Sequence, residues 1–437
     1  MVRGNIMNRL PSVKGFHIGY VLLSVFYYYS VIVKNFEWIG YFIYYGIPLI
    51  YMAVNYKDVL VLFKACIHSK LLYYLISIVL LGILSLALPI LYQTYDFSYF
   101  TIRFIQICKE SVKILFLLLL FLKYISPVYD GKLFIKYFSL ATCLYVIGTC
   151  VIIAVPGAKE FILDITSADM NAYRLTALPS YVTRFGWCGF SGFTYTLRCS
   201  IVAVLMMYVI YVENKQNFNC NMAMLLTSLL GNFFYGRIGL VVSVLFLMIF
   251  LVLMAMENKD LFSKILHVLL ISLGVLIVCA IICEPLRAWL YWVFQALINL
   301  IQTGSLETSS TVSLKNMYVK PDLQTILFGT ARYTNTDGTY YMGTDIGLLR
   351  PLLFGGVIFQ LLRYTSVVVA ILQIKDNLKE KRSWMAYLLL LLFAIFELKG
   401  EAIFPILSIL FGLALLNELK MKDQKIGFLI MLLMEVA

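Results

Sequence analysis

Phe328-Gly-Thr-Ala-Arg-Tyr-Thr-Asn-Thr-Asp-Gly-Thr-Tyr-Tyr-Met-Gly-Thr-Asp-Ile-Gly-Leu-Leu-Arg-Pro-Leu-Leu-Phe-Gly-Gly356 closes the longest part of this chain that cannot sit wholly in a membrane, the segment from Cys283 to Gly356. On both sides of it the sequence is almost entirely apolar runs. Arg332, Asp337, Asp345 and Arg350 are packed among its glycines, tyrosines and threonines, directly before the next apolar run begins. It reads either as a plain surface loop or as the place for chemistry, because loops held by a rigid scaffold carry a large share of binding and catalytic residues.

Working outward, 62% of the residues are hydrophobic and only 13% are charged, with a mean hydropathy of +0.89. Soluble domains hold about 45–50% apolar residues, so the chain reads as an integral membrane protein. A helical span needs ~20 mainly apolar residues, and run after run here has that length. The expected fold is all-α, a polytopic helical bundle, because helices satisfy their own backbone in lipid. The net charge of +12 falls mostly in short loops, where lysine and arginine set orientation, and implies no nucleic-acid partner. The nine cysteines are scattered through the spans without a CxxC pair, so neither a disulfide nor a metal is expected.

Taken in order, the apolar runs predict about twelve spans in a single membrane domain over residues 1–437: 16–33, 36–54, 71–91, 100–124, 134–155, 186–211, 221–235, 238–256, 265–282, 347–373, 385–396 and 402–416. The first run is long and aromatic and lacks a small-residue cleavage site, so it is expected as a span rather than a cleaved signal. Arg3, Arg9 and Lys14 precede it, which predicts a cytoplasmic amino terminus and, after twelve crossings, a cytoplasmic carboxyl terminus. The stretches 221–256 and 385–416 read equally as tight hairpins or as long tilted helices. Two outer loops follow from this scheme, 156–185 and 283–346. In the second, Leu286, Trp289, Val293, Leu297 and Leu300 recur at helical spacing, as in a helix lying in the membrane interface; a thirteenth span is the competing reading. The tail from Ile426 to Ala437 is too short to cross.

The three histidines, His17, His68 and His267, all map to the cytoplasmic side, so an outer-face reaction has no histidine base. There is no DxD, no GxxxxGK[ST] and no GxSxG. What remains is a set of arginines in places that disfavour charge: Arg184 before Phe-Gly-Trp-Cys-Gly-Phe-Ser-Gly, Arg198 further along the same span, and Arg237 within Gly236-Arg-Ile-Gly-Leu240. Arginine at a membrane edge either snorkels, pairs structurally or faces a wet cavity. Together with Arg332 and Arg350, these side chains suit a lipid-linked diphosphate, because the planar guanidinium grips two phosphate oxygens and stays charged. A leaving diphosphate gathers negative charge that such donors stabilise, by about 3–4 kcal/mol per donor. An acceptor hydroxyl must lose its proton, and Asp345 is the candidate base. It can equally cap a helix starting at Ile346. Asp169, Asp337, Glu307 and Glu401 rank below it. Outer tyrosines such as Tyr173, Tyr181, Tyr333, Tyr340 and Tyr341 either stack on sugars or form an interface belt.

On Arg184 with its glycines, on Gly236-Arg237-Ile238-Gly239-Leu240, and on Leu327-Phe328-Gly329 followed by Thr344-Asp345-Ile346-Gly347 and Leu352-Leu353-Phe354-Gly355-Gly356, the chain resembles the O-antigen polymerase family of bacterial oligosaccharide repeat-unit polymerases. Ala331 stands where many such relatives carry a second glycine, and Lys315 or Lys320 where they carry an arginine. The resemblance implies a metal-independent glycosyltransferase, without cofactor, at the outer face of the bacterial cytoplasmic membrane. It would move a growing glycan from one polyprenyl diphosphate to a hydroxyl of another polyprenyl-diphosphate-linked oligosaccharide, beside a repeat-unit flippase and a chain-length regulator, within membrane lipid. The O-antigen ligase is a rival reading, although such enzymes typically carry an outer-loop histidine. A flippase or other transporter is another; it would bury charge pairs midway through broken helices and show an internal repeat, and the sequence offers neither a repeat nor a paired acid in mid-span.

Overall fold

A computed structural model describes residues 14–126, 128–166, 184–282, 284–376 and 383–436. Apart from a two-residue β-hairpin, Phe185–Gly186 with Gly189–Phe190, its regular elements are helices. By length and composition, seven helices among the described residues can cross a membrane, or eight if the bent pair Glu37–Val54 and Tyr56–Ile67 is one span. The chain is therefore a helical membrane protein. The twelve expected segments include shorter helices, such as Trp384–Glu397, that length alone does not mark as spans. The Lys259–Ile282 helix has a mean hydropathy of 3.0 in its best window, yet only 6% of that window is buried, a surface that water does not tolerate and lipid does.

Contacts divide the chain into two compact units, residues 1–141 with 320–437, and residues 142–319. In the first, the Leu349–Asp376 helix packs against Leu71–Leu91 and Ile403–Val436, and the last of these packs on Ile105–Leu120. The expected span 71–91 is the helix Leu71–Leu91, and 100–124 is one continuous helix from Tyr99 to Ile125, with a π-turn at each end. The expected span 36–54 is instead the first arm of a helix pair bent by 93°. The bend falls at Asn55, whose side-chain amide donates back to the Tyr51 carbonyl at 2.8 Å. Helix 402–416 is also longer than expected: it runs from Ile403 to Val436 and takes in the tail.

In the second unit, the break at Gly236 is a hairpin. Asn232 donates to the Ser243 hydroxyl at 2.8 Å, whereas eleven residues of straight helix would separate them by roughly 16 Å. Asn232 also accepts from Thr196 at 2.7 Å and Ser200 at 3.3 Å, which binds three helices through neutral polar groups. A Cβ on Gly239 would lie 1.9 Å from the Thr196 hydroxyl, so the close approach requires glycine there. The span expected at 186–211 is shortened to Phe193–Glu213 because Gly189, at φ +80°, turns the preceding residues into the hairpin. The segment expected to lie in the interface is helical in two pieces, Glu284–Val293 and Gln295–Thr303, neither long enough to cross. Most of the 156–185 loop, with Asp169, Tyr173 and Tyr181, lies outside the described residues, as do Arg3 and Arg9.

Candidate functional site

The stretch that ends the long polar segment is folded onto the first unit by hydrogen bonds. Asp96, in the turn after Leu71–Leu91, accepts from the backbone of Tyr333 at 2.5 Å and of Thr334 at 2.8 Å, and Thr94 donates to the Ala331 carbonyl at 2.7 Å. Burial pushes the Asp96 carboxyl up, but the Ser98 side chain and the backbone N–H groups of Thr334, Tyr333 and Ser98 outweigh it and hold it below the usual carboxylate range. The Leu-Phe-Gly motif caps the short Leu323–Phe328 helix and then pairs with the next one: Thr330 and Ala331 donate to the carbonyls of Leu353 and Phe354 at 2.7 and 2.8 Å. Those carbonyls are available because Leu349–Asp376 is broken at Gly356, which sits at φ +69° and ψ −169°. A Cβ on Gly356 would fall 2.3 Å from the Leu327 carbonyl, and one on Gly329 would fall 2.4 Å from that of Phe354. The two glycine motifs singled out in the sequence are therefore the two sides of one close backbone contact. Ala331 takes a left-handed φ of +53°, which a glycine reaches without strain.

Glu401 is the hub of the site this docking creates. Its carboxylate lies 3.1 Å from Arg103 Nε, 3.6 Å from Arg350 Nη1 and 3.5 Å from Arg363 Nη2, and it accepts a short hydrogen bond from the Tyr333 hydroxyl. Arg103 donates to the same hydroxyl at 2.6 Å. Glu397 adds a second carboxylate 3.7 Å from Arg363 and accepts from the Ala402 N–H at 2.6 Å. Burial pushes the Glu401 carboxyl up, but the three guanidinium groups outweigh it and hold it ionised below its ordinary range. Three permanent cations thus face two buried carboxylates, and among the described residues the excess cation is met only at the rim, by Asp345 at 3.9 Å from Arg350.

Arg350 is the cation best placed to use that excess. Its guanidinium is sandwiched between Tyr333, at 3.8 Å from the ring centre, and Tyr340, at 4.2 Å. The side chain is 2% exposed, yet Nε and Nη1 have no hydrogen-bond acceptor among the described residues. A buried donor left so costs on the order of 1–3 kcal/mol unless water or a ligand accepts from it. Asp345 lies at the rim, 3.9 Å from Arg350 and 41% exposed. Burial pushes its carboxyl up to about 6, against the pull of Arg350 and Arg103. Gly343 beside it borders open space, whereas Gly347 packs on Gly400, where a Cβ would meet the carbonyl at 2.3 Å. The cap alternative for Asp345 fails: the Thr344 hydroxyl takes the Ile346 N–H at 3.3 Å, and the helix starts only at Leu349.

Of the residues chosen from sequence, Asp345 and Arg350 are brought together and Glu401 joins them at the centre. Arg332 is exposed while its neighbour Tyr333 is buried beneath Arg350, which removes Tyr333 from the surface stacking set. Asp337 closes a turn by accepting from the Thr339 backbone and hydroxyl at 2.9 and 2.6 Å. Glu307 pairs with Lys315 at 3.9 Å. Arg184, Arg198 and Arg237 belong to the other unit. There Arg184, at φ +60°, donates its backbone N–H to Phe234 at 2.7 Å, Arg198 is buried with its guanidinium over Tyr195 at 5.9 Å, and Arg237 stacks on Trp292 at 4.1 Å and donates to Gln295 at 3.0 Å. Arg103, Arg363 and Glu397 were not chosen. The absence of a mid-span acid pair is also overturned: Glu110 and Lys113, both buried, meet at 2.5 Å within the Ile105–Leu120 helix, and Arg363 meets Glu397 and Glu401 from a broken helix. No protein-family model, curated protein or solved structure matches this chain.

Proposed function

We propose that the chain is a membrane glycosyltransferase that polymerises polyprenyl-diphosphate-linked oligosaccharide repeat units into O-antigen or a capsular polysaccharide at the outer face of a bacterial cytoplasmic membrane. The observation that carries this reading is Arg350, a buried guanidinium whose Nε has no hydrogen-bond acceptor among the described residues and whose Nη1 meets carboxylates only at ion-pair distance, beside the half-exposed carboxylate of Asp345. Asp345 takes the proton of the acceptor hydroxyl. The freed oxygen attacks the anomeric carbon of the donor, and the carbon–oxygen bond to the lipid diphosphate breaks. The electron pair leaves with the diphosphate, whose growing charge Arg350 and Arg103 stabilise. Arg332 is assigned to further grip on the same substrate class, and Glu401 to holding Arg103 and Arg350 in register. The twelve-span arrangement with both termini in the cytoplasm, the interfacial segment at 284–303, and the flippase and chain-length regulator as companions belong to the same proposal.

Incubation of the purified protein with its lipid-linked repeat unit tests it. A ladder of products is expected, lost in Arg350→Lys, which keeps charge but not the planar fork. A second reading, transport of such lipids, is favoured by the buried Arg363–Glu397–Glu401 group, whose arginine stands on the helix broken at Gly356, a combination typical of transporters. Deletion separates the two: a polymerase leaves a single repeat unit on the surface anchor, a flippase leaves none.

A further inference from the structure

Within the second unit, a cavity of about 750 Å³ is lined by Lys215, Lys264, His267 and the residues 217–220 that open the Phe218–Tyr235 helix. Both lysines and the histidine are exposed. The first amides of a helix have no carbonyl of their own to bond and carry a partial positive charge, so they add to the attraction for an anion. Two carboxylates lie nearby: Asp260 is 3.5 Å from the Lys215 ammonium and 77% exposed, where an ion pair is weak and readily exchanged, and Glu213 is engaged by the Asn221 amide at 2.9 Å.

What lies beyond the cavity narrows the occupant. Lys264, His267 and Val268 share a face of the Lys259–Ile282 helix with Ile271, Val275 and Val278, at spacings of three and four residues. These last three are 66%, 58% and 54% exposed. A basic recess thus runs directly into an apolar track, the shape of a charged headgroup followed by acyl chain. We propose that the cavity binds the phosphate of an anionic membrane lipid, with an acyl chain lying along Ile271, Val275 and Val278. Basic recesses at the ends of spans recognise anionic headgroups by this chemistry. The site shares no residue with the Asp345 centre, and its occupancy does not depend on what that centre catalyses.

The test is native mass spectrometry and thermal unfolding of the full chain in a non-ionic detergent, with dioleoyl phosphatidylglycerol, dioleoyl phosphatidylcholine or inorganic phosphate added. Phosphatidylglycerol is expected to remain bound and to raise the unfolding temperature, phosphatidylcholine to do so far less, and inorganic phosphate not at all. Lys215→Ala with Lys264→Ala should weaken phosphatidylglycerol binding roughly 30-fold, about a factor of five per lysine, while Lys215→Arg with Lys264→Arg retains it. Equal retention of the two lipids by the native protein, or unchanged phosphatidylglycerol binding in the alanine pair, overturns the proposal. Equal protection by millimolar phosphate would assign the cavity to a soluble ligand, and dimer masses without bound lipid would assign the apolar track to a second copy of the chain. Either result also overturns it.

Discussion

In one unit Glu401 gathers Arg103, Arg350 and Arg363 within 3.6 Å; in the other, Asn232 gathers Thr196, Ser200 and Ser243 within 3.3 Å. Both clusters tie several helices together away from water. They differ in how completely they are closed. Asn232, Thr196, Ser200 and Ser243 are all buried and bond one another, so they act as glue between helices at modest energy. The charged cluster keeps a half-exposed rim at Asp345 and an Nε on Arg350 with no hydrogen-bond acceptor among the described residues. A polar centre that is satisfied internally holds a fold together; one that is unsatisfied at a single edge is built to meet something else.

The largest effect should come from the hub of the charged centre. Glu401→Ala leaves Arg103, Arg350 and Arg363 with Glu397 on Arg363 and the rim carboxylate of Asp345 on Arg350, and breaking a buried pair from one side costs about 3–5 kcal/mol. Folded protein should largely vanish from membranes, measured as yield of monodisperse protein after extraction. If Glu401→Ala is as stable as the native chain, the cluster is not ionised as described, and the contrast with the neutral centre disappears. Next in size is Gly239→Ala. Its Cβ would lie 2.5 Å from Asn232 Oδ1 as well as against Thr196, and forcing the helices apart should cost about 1–3 kcal/mol, read as a lowered unfolding temperature with the charged centre untouched. Thr196→Val removes a hydroxyl shared between Asn232 at 2.7 Å and the Gly236 carbonyl at 3.1 Å and should cost about 0.6 kcal/mol, the usual size of such neutral bonds between membrane helices.

The same contrast explains what could be read without coordinates. Hydropathy located Leu71–Leu91 to the residue, because an apolar run of span length has few other fates. It ended the 36–54 run before Asn55 but missed that Tyr56–Ile67, with Lys57, Asp58 and Lys64, continues as a second helical arm bent by 93°, at an Asn55 bonded back to Tyr51. Counting left 221–256 open, and only the contact of Asn232 with Ser243 makes it a hairpin. Asp345 and Arg350 stood out because they lie among glycines in a polar stretch. Arg363 was hidden by the apolar run around it, although a lone arginine within a span is itself the signal, the one that had drawn attention to Arg198. Glu401 ranked only as a weaker base and Glu397 as its neighbour in a break between spans, since nothing around them announces arginines contributed from residues 103, 350 and 363.

The smallest effect on the fold is expected where the effect on chemistry is largest. Asp345 ionises at about 6 because burial outweighs Arg350 and Arg103, while an unfolded aspartate ionises near 4. Between about pH 4 and 6 the folded chain therefore binds more protons at this position than the unfolded chain does. The stability it contributes is full below that window and is lost as the pH rises through about 6. Asp345→Asn should accordingly keep or slightly raise the unfolding temperature at pH 7, the reverse of Glu401→Ala, and should flatten this part of the stability profile. Turnover should fall by about 10²–10⁴, the usual contribution of a positioned base. In the native protein the rate should drop about tenfold per pH unit below about 6, as the base is protonated. An Asp345→Asn protein that still builds a full ladder, with the native pH profile, would remove the carboxylate from the reaction and leave Arg350 as an anion site without chemistry.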